Sequence, residues 1–242
     1  MPVTPEIERH PLQPFLPDNA RLLMLGSFPP PRERWCMDFF YPNPQNDMWR
    51  IIGQVFYGDK QHFVESGARN QEQGRKSVFA ESGARNQEQG RKSVFAESGA
   101  RNQEQGRKTT FKYEEIVAFC REKGIAIYDT AQAVRRLQGN AADEHLEIIE
   151  QTDIAAMLRQ IPHCHDICCT GGKAAETLAE IIGRERDVHA PVIPKAGGYI
   201  ETAFADRTIR FWRMPSSSRA YPLSLDKKAA AYRLMFEESG LR

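Results

Sequence analysis

The chain has 242 residues, and 40% of them are hydrophobic, which is enough for one substantial core. Its formal net charge of +1 excludes a globally basic protein, so any contact with nucleic acid must come from a local arrangement of residues. No apolar run approaches the roughly 20 residues that a membrane span needs, and residues 1–19 lack the basic-then-apolar order of a signal peptide. We therefore expect a soluble, cytoplasmic monomer that does not bind membranes.

The five cysteines form neither an even disulfide framework nor the paired C-x-x-C spacing of a zinc site. The nearest thing to a metal cluster is HCHDICC, residues 163–169. Its last part is typical of a buried strand, in which adjacent side chains point to opposite faces. Core thiols and a surface histidine pair are favoured over metal ligands, so no metal site is predicted in this segment.

The first predicted strand, RLLMLG at residues 21–26, runs directly into the turn GSFPP. Gly26 allows a sharp bend, and the prolines that follow stiffen the chain. The bland alternative is an ordinary rigid loop. This turn can bind a ligand through its backbone groups, since it has no charged side chains.

The next segment, FYPNPQNDMWRI, predicts the start of a helix. Asn43 followed by Pro44 fits an N-cap with proline at the first helical position, which places Asn46 in the first turn. The apolar stripe begins at Met48, so Asn46, Trp49 and Arg50 are expected on another side of the helix, which places Asn46 near the strand-end crevice. An asparagine at such a position is more often a helix-start preference than a catalyst.

Residues 63–110 contain three nearly identical copies of a 16-residue unit, of which the second reads FAESGARNQEQGRKSV. Each unit has too few apolar residues to offset the entropy lost on ordering, unlike the longer units of true solenoids. We interpret residues 61–110 as an insertion, loosely ordered or forming short frayed helices, within a single domain spanning 1–242. A recent duplication and a cloning artefact remain open as its origin. A solvated linker is favoured over weak contact with phosphates.

Helices and strands alternate after the insertion. The helix YEEIVAFCREKG ends at Gly124, and the strand IAIYDT then brings Asp129 to its end, facing the crevice. A helix capped by Thr152, the strand DICCT, a helix after the tight turn TGGKA, the hairpin YIETAF/RTIRFWRM and a helix capped by Ser224 complete the order. This alternation predicts an α/β fold, a three-layer α/β/α sandwich with a mostly parallel central sheet. Ligands of such folds bind at the carboxyl ends of the strands.

A third strand end leads into WRMPSSSRAYPLS, a polar loop rich in small hydroxyl groups. Serine hydroxyls and free backbone N–H groups are suited to binding phosphates, with Arg219 at the tip. The alternative is a polar loop that leads to a helix cap. The candidate DNA-binding residues are Pro215, Ser216, Ser217, Ser218 and Arg219.

Together, LLMLGSFPP, FYPNPQNDMWRI, GIAIYDT and RMPSSSRAY resemble the uracil-DNA glycosylase superfamily, most closely its mismatch-specific and deoxyinosine (hypoxanthine) branches. The resemblance extends from about residue 22 to residue 221, apart from the repeats. It implies a DNA glycosylase that hydrolyses the N-glycosidic bond of uracil or hypoxanthine in base-excision repair, near the nucleoid and without a cofactor. Its partner would be DNA that contains a damaged base.

The resemblance also implies roles for individual residues. Asn46 and Ser27 would be catalytic; the base would lie against Gly26, Phe28, Phe40 and Tyr41. Two departures stand out. Many members carry Asp or Asn in the first motif where this chain has only Ser27 and Phe28, and many begin the late loop with His or Asn where it has Met214.

These departures keep two further hypotheses open. One is a weak or inactive relative that binds nucleic acid without excising a base. The other is a small-molecule nucleotide or nucleoside hydrolase that uses the same crevice, which the modest net charge allows.

Overall fold

The computed structural model describes residues 6–66, 109–137, 145–187 and 189–242. The chain divides into two compact units, one formed by Met1–Glu65 with Thr109–Arg242 and the other by Ser66–Lys108, which lies outside the described residues except for Ser66. The described helices are α1 (Met48–Tyr57), α2 (Tyr113–Lys123), α3 (Ile154–Gln160), α4 (Gly172–Glu185) and α5 (Leu225–Glu238). The described strands are β1 (Ile7–Arg9), β2 (Leu22–Gly26), β3 (Val64–Ser66), β4 (Thr109–Phe111), β5 (Ile125–Asp129), β6 (Ala131–Arg136), β7 (Leu146–Gln151), β8 (Asp166–Thr170), β9 (Gly198–Phe204) and β10 (Arg207–Met214).

The central sheet has the strand order β5-β2-β8-β10-β9. The first four strands are mutually parallel, whereas β9 pairs antiparallel with β10 and makes the sheet mixed. β9 must run antiparallel because only Ala205 and Asp206, both with positive φ, connect it to β10. Strands β2, β5 and β8 are buried along their whole length, as their apolar sequences predicted.

A second sheet, antiparallel and with the order β1-β6-β7, was not predicted. Strand β6, AQAVRR, has two arginines, and β7, LEIIEQ, has two glutamates, so neither shows the apolar run of a core strand. Strand β6 follows β5 after one residue, Thr130. This sheet therefore begins at one of the strand ends of the central sheet.

The start of α1 corrects the sequence prediction. The helix begins at Met48 with Asp47 as N-cap, so Asn46 precedes the helix instead of lying in its first turn. Asn43 caps a turn of its own, because its Oδ1 accepts a hydrogen bond from Gln45 N–H at 2.9 Å. Trp49 and Arg50, which were predicted on a different side of the helix from the apolar stripe, are buried as well, with exposures of 0% and 7%.

The start of α3 is shifted in a similar way. Asp153 rather than Thr152 is the N-cap, since its Oδ1 accepts from Ala156 N–H. The Thr152 hydroxyl instead donates to the carbonyl oxygen of Asp129 at 2.8 Å. The predicted ends at Gly124, in the left-handed conformation after α2, and at Ser224, which caps α5, are confirmed.

The cysteine-rich strand β8 belongs to the core. Cys164, Cys168 and Cys169 are fully buried, and burial raises the pKa of Cys164 to about 12. Within the described ranges, no three His, Cys, Asp or Glu side chains are grouped as metal ligands. Nor does any helix in this part of the chain have the length and apolarity to cross a membrane.

The two ends of the predicted insertion are described and form the pair β3-β4. Phe63, the first residue of the first repeat, is 1% exposed and belongs to the core, and its carbonyl oxygen accepts from Lys112 N–H at 3.0 Å. The remainder of the predicted insertion, residues 67–108, lies outside the described residues.

Candidate active site at the strand ends

Four residues end the parallel strands and form what we call the strand-end row: Asp129, Gly26, Thr170 and Met214. Gly26 is the direct partner of Asp129, and Met214 that of Thr170. Because neighbouring strands lie about 4.8 Å apart, the row is about 14 Å long from Asp129 to Met214. The predicted motifs follow from this row: GSFPP continues from Gly26 and the serine loop from Met214.

Asn46 is held rigidly before α1. Its Oδ1 accepts from Met48 N–H at 2.9 Å, and its carbonyl oxygen accepts from the Arg50 guanidinium at 3.2 Å. Its backbone forms an antiparallel bridge with Ser218. The bond from Met48 fixes the amide orientation, so Nδ2 and the second lone pair of Oδ1 remain for a ligand. The structure therefore joins Asn46 directly to the late serine loop.

Asp47 strengthens this junction with the late loop. Its backbone N–H donates to the Ser217 carbonyl oxygen at 2.9 Å, and its carboxylate accepts from Arg219 Nε at 2.9 Å. The Lys228 ammonium lies 3.7 Å from the other carboxylate oxygen. Sequence reasoning gave Asp47 no role, because its position before the helix resembles an ordinary cap.

The late loop exposes only some of its predicted DNA-binding residues. Pro215 and Ser217 are buried, and Ser217 is 2% exposed, so Ser216, Ser218 and Arg219 are the members that reach the surface. The hydroxyls of Ser216 and Ser218 accept bonds from backbone N–H groups two residues further on. This local bonding gives the loop a defined shape.

The TGGKA turn lies beside this loop. A Cβ on Gly171 would lie 3.7 Å from Ser216 Cβ, and the Gly171 φ of 142° is in the region that favours glycine. The turn is tight and leads directly into α4, as predicted.

The GSFPP turn is shaped by a close approach to Asp129. A Cβ on Gly26 would collide with Asp129 Oδ1, so only glycine leaves room for that carboxylate. Backbone N–H groups of Ser27 and Phe28 have no acceptor within the described part of the chain. They are free to donate to a ligand above the row.

The three aromatic candidates have different surroundings. The Tyr41 hydroxyl lies 3.1 Å from Thr170 Oγ1, over the middle of the row, and Tyr41 has a φ of 51°. Burial, with the nearby Asp129 charge, holds the pKa of Tyr41 well above its ordinary value, so the phenol stays neutral. Phe28 is half-buried and contacts the His10 ring edge-on.

Phe40 corrects the predicted base-binding set. It is 4% exposed, and its carbonyl oxygen accepts from Trp49 Nε1 at 3.1 Å. Its ring packs against Phe39 and Tyr128 in the core, so no face is open to a stacking base.

Asp129 has a partner that sequence reasoning missed, His10. Its Oδ2 lies 2.9 Å from Nε2 of His10, and both residues are buried. A carboxylate only accepts, so Nε2–H donates to it, while Nδ1 lies 2.9 Å from the Leu12 carbonyl oxygen and 3.2 Å from Leu12 N–H. Asp129 Oδ1 accepts no bond from the described residues and is not completely buried, which leaves it available over Gly26. No local motif indicates this pair, because 119 positions separate its members.

Comparisons with known proteins give matches among solved structures but none among sequences. No family model and no curated protein matches the chain. The solution NMR structure of a candidate uracil DNA glycosylase from Methanosarcina acetivorans is similar to it, with a TM-score of 0.52 and 18% identity over 97% of this chain and 99% of that one. At this identity the likeness shows a shared mixed α/β fold.

Proposed function

We propose that this protein is a DNA glycosylase that hydrolyses the N-glycosidic bond of a deaminated base, uracil or hypoxanthine, in DNA. The observation that carries the proposal is the bridge between Asn46 and Ser218, which joins the amide and the phosphate-binding loop at one end of the strand-end row. The similar fold of a candidate uracil DNA glycosylase supports it. The target nucleotide leaves the duplex and enters the space above the row.

The sugar of this nucleotide lies at the Met214 end of the row. Ser216, Ser218 and Arg219 contact the flanking phosphates from the exposed side of the loop. The second lone pair of Asn46 Oδ1 accepts a hydrogen bond from a water that attacks C1′. Arg50 and Met48 hold Asn46 in place before the substrate arrives, so little reorganisation is needed during the reaction.

The departing base lies over Gly26. As the C1′–N bond breaks, its electron pair leaves with the base, which becomes an anion; the water oxygen bonds to C1′, and the proton that the water loses passes to the departed base anion through solvent. The N–H groups of Ser27 and Phe28, which have no acceptor among the described residues, stabilise this charge in our proposal. Backbone donors thus supply what an apolar first motif lacks in side chains, and Ser27 acts through its N–H.

Asp129 gives the site a physical preference for deaminated bases. Deamination converts a ring nitrogen with a lone pair, in cytosine or adenine, into a ring N–H in uracil or hypoxanthine. A carboxylate can only accept, so Asp129 Oδ1 bonds the ring N–H of the damaged base and meets a lone pair on the undamaged one. Phe28 and Tyr41 border the same space.

A binding protein without activity is the second candidate. The observation that favours it is Met214, which is 1% exposed and apolar, so the first residue of the late loop gives the site no polar side chain. Tight binding to lesion-containing duplexes with no release of base would support this candidate.

The experiment measures base release from duplexes that contain uracil, hypoxanthine or xanthine, in a chelator, with enzyme in excess. The wild type should release at least one of these bases. Asn46→Ala should lower the single-turnover rate about 100- to 1,000-fold, the range seen when one group that stabilises a transition state is lost. Asn43→Ala, three residues away in the same segment, is the matched control and should change the rate less than about 3-fold. If no base is released, or if both variants behave alike, the proposal is wrong.

A further inference from the structure

One face of α5 carries two buried donors that bind the late loop. Lys228 Nζ donates to the Ser218 carbonyl oxygen at 2.7 Å, and Tyr232 donates from its hydroxyl to the Pro215 carbonyl oxygen at 3.0 Å. The two residues are four positions apart and so share a helix face. They hold the loop at both ends of its serine run.

Lys228 is unusual because it is a lysine inside the protein. Its side chain is 1% exposed, and burying an ammonium group is costly unless it is paired. Its two partners are the Ser218 carbonyl and the Asp47 carboxylate. Burial lowers the pKa of Lys228, and the nearby Asp47 acts against that shift. One ammonium group thus contacts both sides of the junction, Ser218 in the loop and the residue after Asn46.

The same junction contains more positive than negative charge. Arg50, Arg219 and Lys228 surround the single carboxylate of Asp47. Arg50 and Lys228 are buried, whereas the Arg219 side chain is 49% exposed. Of these three cations, Arg219 is therefore the one that can turn outward to an incoming phosphate. If it does, Lys228 remains to pair with Asp47.

We propose that Lys228, supported by Tyr232, is a positioning residue of the glycosylase reaction: it holds the late loop against Asn46 and keeps Asp47 paired when Arg219 moves to a DNA phosphate. This inference rests on the proposed function. No sequence motif connected α5 with the site. In this proposal, α5 sets the distance between the DNA phosphates and the attacking water. A small displacement at that distance is enough to slow a reaction about 100-fold.

The test compares Lys228→Met, the double variant Asp47→Asn/Lys228→Met, Arg219→Gln and the control Lys227→Met, an exposed lysine of the same helix. Four quantities are measured: the single-turnover rate at saturating enzyme, the Kd for a lesion-containing duplex, its salt dependence and the Tm. Lys228→Met should lower the rate about 10- to 100-fold with a smaller change in Kd, and it should lower the Tm because Asp47 loses its buried partner. The control should match the wild type in all four.

The double variant separates positioning from stability. Removing both charges should restore most of the Tm, while the rate stays low because the Ser218 carbonyl loses its bond from α5 and keeps the one from Tyr221 N–H within the loop. Arg219→Gln should weaken binding and reduce the salt slope by about 1, as the loss of one phosphate contact requires. If the rate recovers together with the Tm, Lys228 is merely structural and the inference is wrong. If Lys228→Met reacts at the full rate, the inference falls while the proposed function stands; if the wild type releases no base, both fall.

Discussion

The two ends of the strand-end row are built from different materials. At the Met214 end, charged groups converge: Asp47, Arg219 and Lys228 tie the loop to the segment of Asn46. At the Asp129 end, one carboxylate lies against the His10 ring, which itself packs against Tyr128 and Phe28, and no lysine or arginine of the described residues lies within ion-pair distance of that carboxylate. The first end suits a sugar and its phosphates, and the second suits the polar edge of an aromatic base.

This difference shows how one sheet edge can perform two tasks. Phosphate binding benefits from mobile, exposed positive charge, which Arg219 offers. Base recognition needs a fixed acceptor in a pocket that excludes water, because the cost of a mismatched polar group is large only when the group is buried. Gly26 lies between Asp129 and Thr170 in the row, and its backbone forms part of the base of the space above the row.

The most disruptive change should be Gly26→Ala. The added Cβ overlaps Asp129 Oδ1, so the carboxylate must leave its place against His10 or β2 must shift. We expect base release to fall about 100-fold or more, since the proposed position of the departing base is directly over this residue. Single-turnover rates for Gly26→Ala are compared with those for Gly198→Ala, where the nearest neighbour of an added Cβ lies at an ordinary 3.5 Å. Equal rates for the two variants would show that Gly26 is not part of the site.

Asp129→Asn should affect the identity of the base more than the reaction itself. The new amide can donate to the lone pair of an undamaged base, so the preference for a deaminated base over its parent should fall about 10- to 100-fold, the worth of one good hydrogen-bonded pair. Competition assays with uracil and cytosine, and with hypoxanthine and adenine, measure this ratio. Asp38→Asn, at an exposed aspartate, is the control. An unchanged ratio in the Asp129 variant would assign base recognition to other residues.

The sequence predicted the Met214 end better than the Asp129 end for a physical reason. The Met214 end is formed by short segments in which glycine, proline and small polar residues restrict the backbone, so each segment predicts a turn by itself. These segments contain Asn46, Ser216, Ser218 and Arg219. The buried strands β2 and β8 of the central sheet are largely apolar and were also predicted. Local patterns could not predict which aromatic side chains are buried. Phe40 and Trp49 stand in a polar, proline-rich segment of the sequence, but the structure places both in the core.

The Asp129 end depends on contacts between distant parts of the chain. His10 follows β1, whose strand of three residues has no apolar pattern, and β1 joins a sheet whose other strands are charged. Such strands form because neighbours cover them, which is a tertiary effect that overrides local propensity. The burial of Lys228 could not be predicted from the sequence either, since a lysine near the start of a helix is ordinarily exposed to solvent.

The smallest effect should come from replacing residues 67–108 by a two-residue Asn-Gly turn. The described base of this segment, the β3-β4 pair with Phe63 and Phe111 in the core, would be kept, and that base contacts the rest of the chain through the bond from the Thr110 hydroxyl to the Cys36 carbonyl oxygen. Because the repeat unit has little apolar surface to bury, its removal should leave the Tm within about 2 °C and the rate unchanged. A deletion from residue 63 is the informative counterpart, since it also removes the buried Phe63 ring, a loss that costs about 3–5 kcal/mol in a core. If the shorter deletion lowered the Tm and the rate as much as the longer one, residues 67–108 would be part of the stable fold. Activity at the strand-end row would then depend on them.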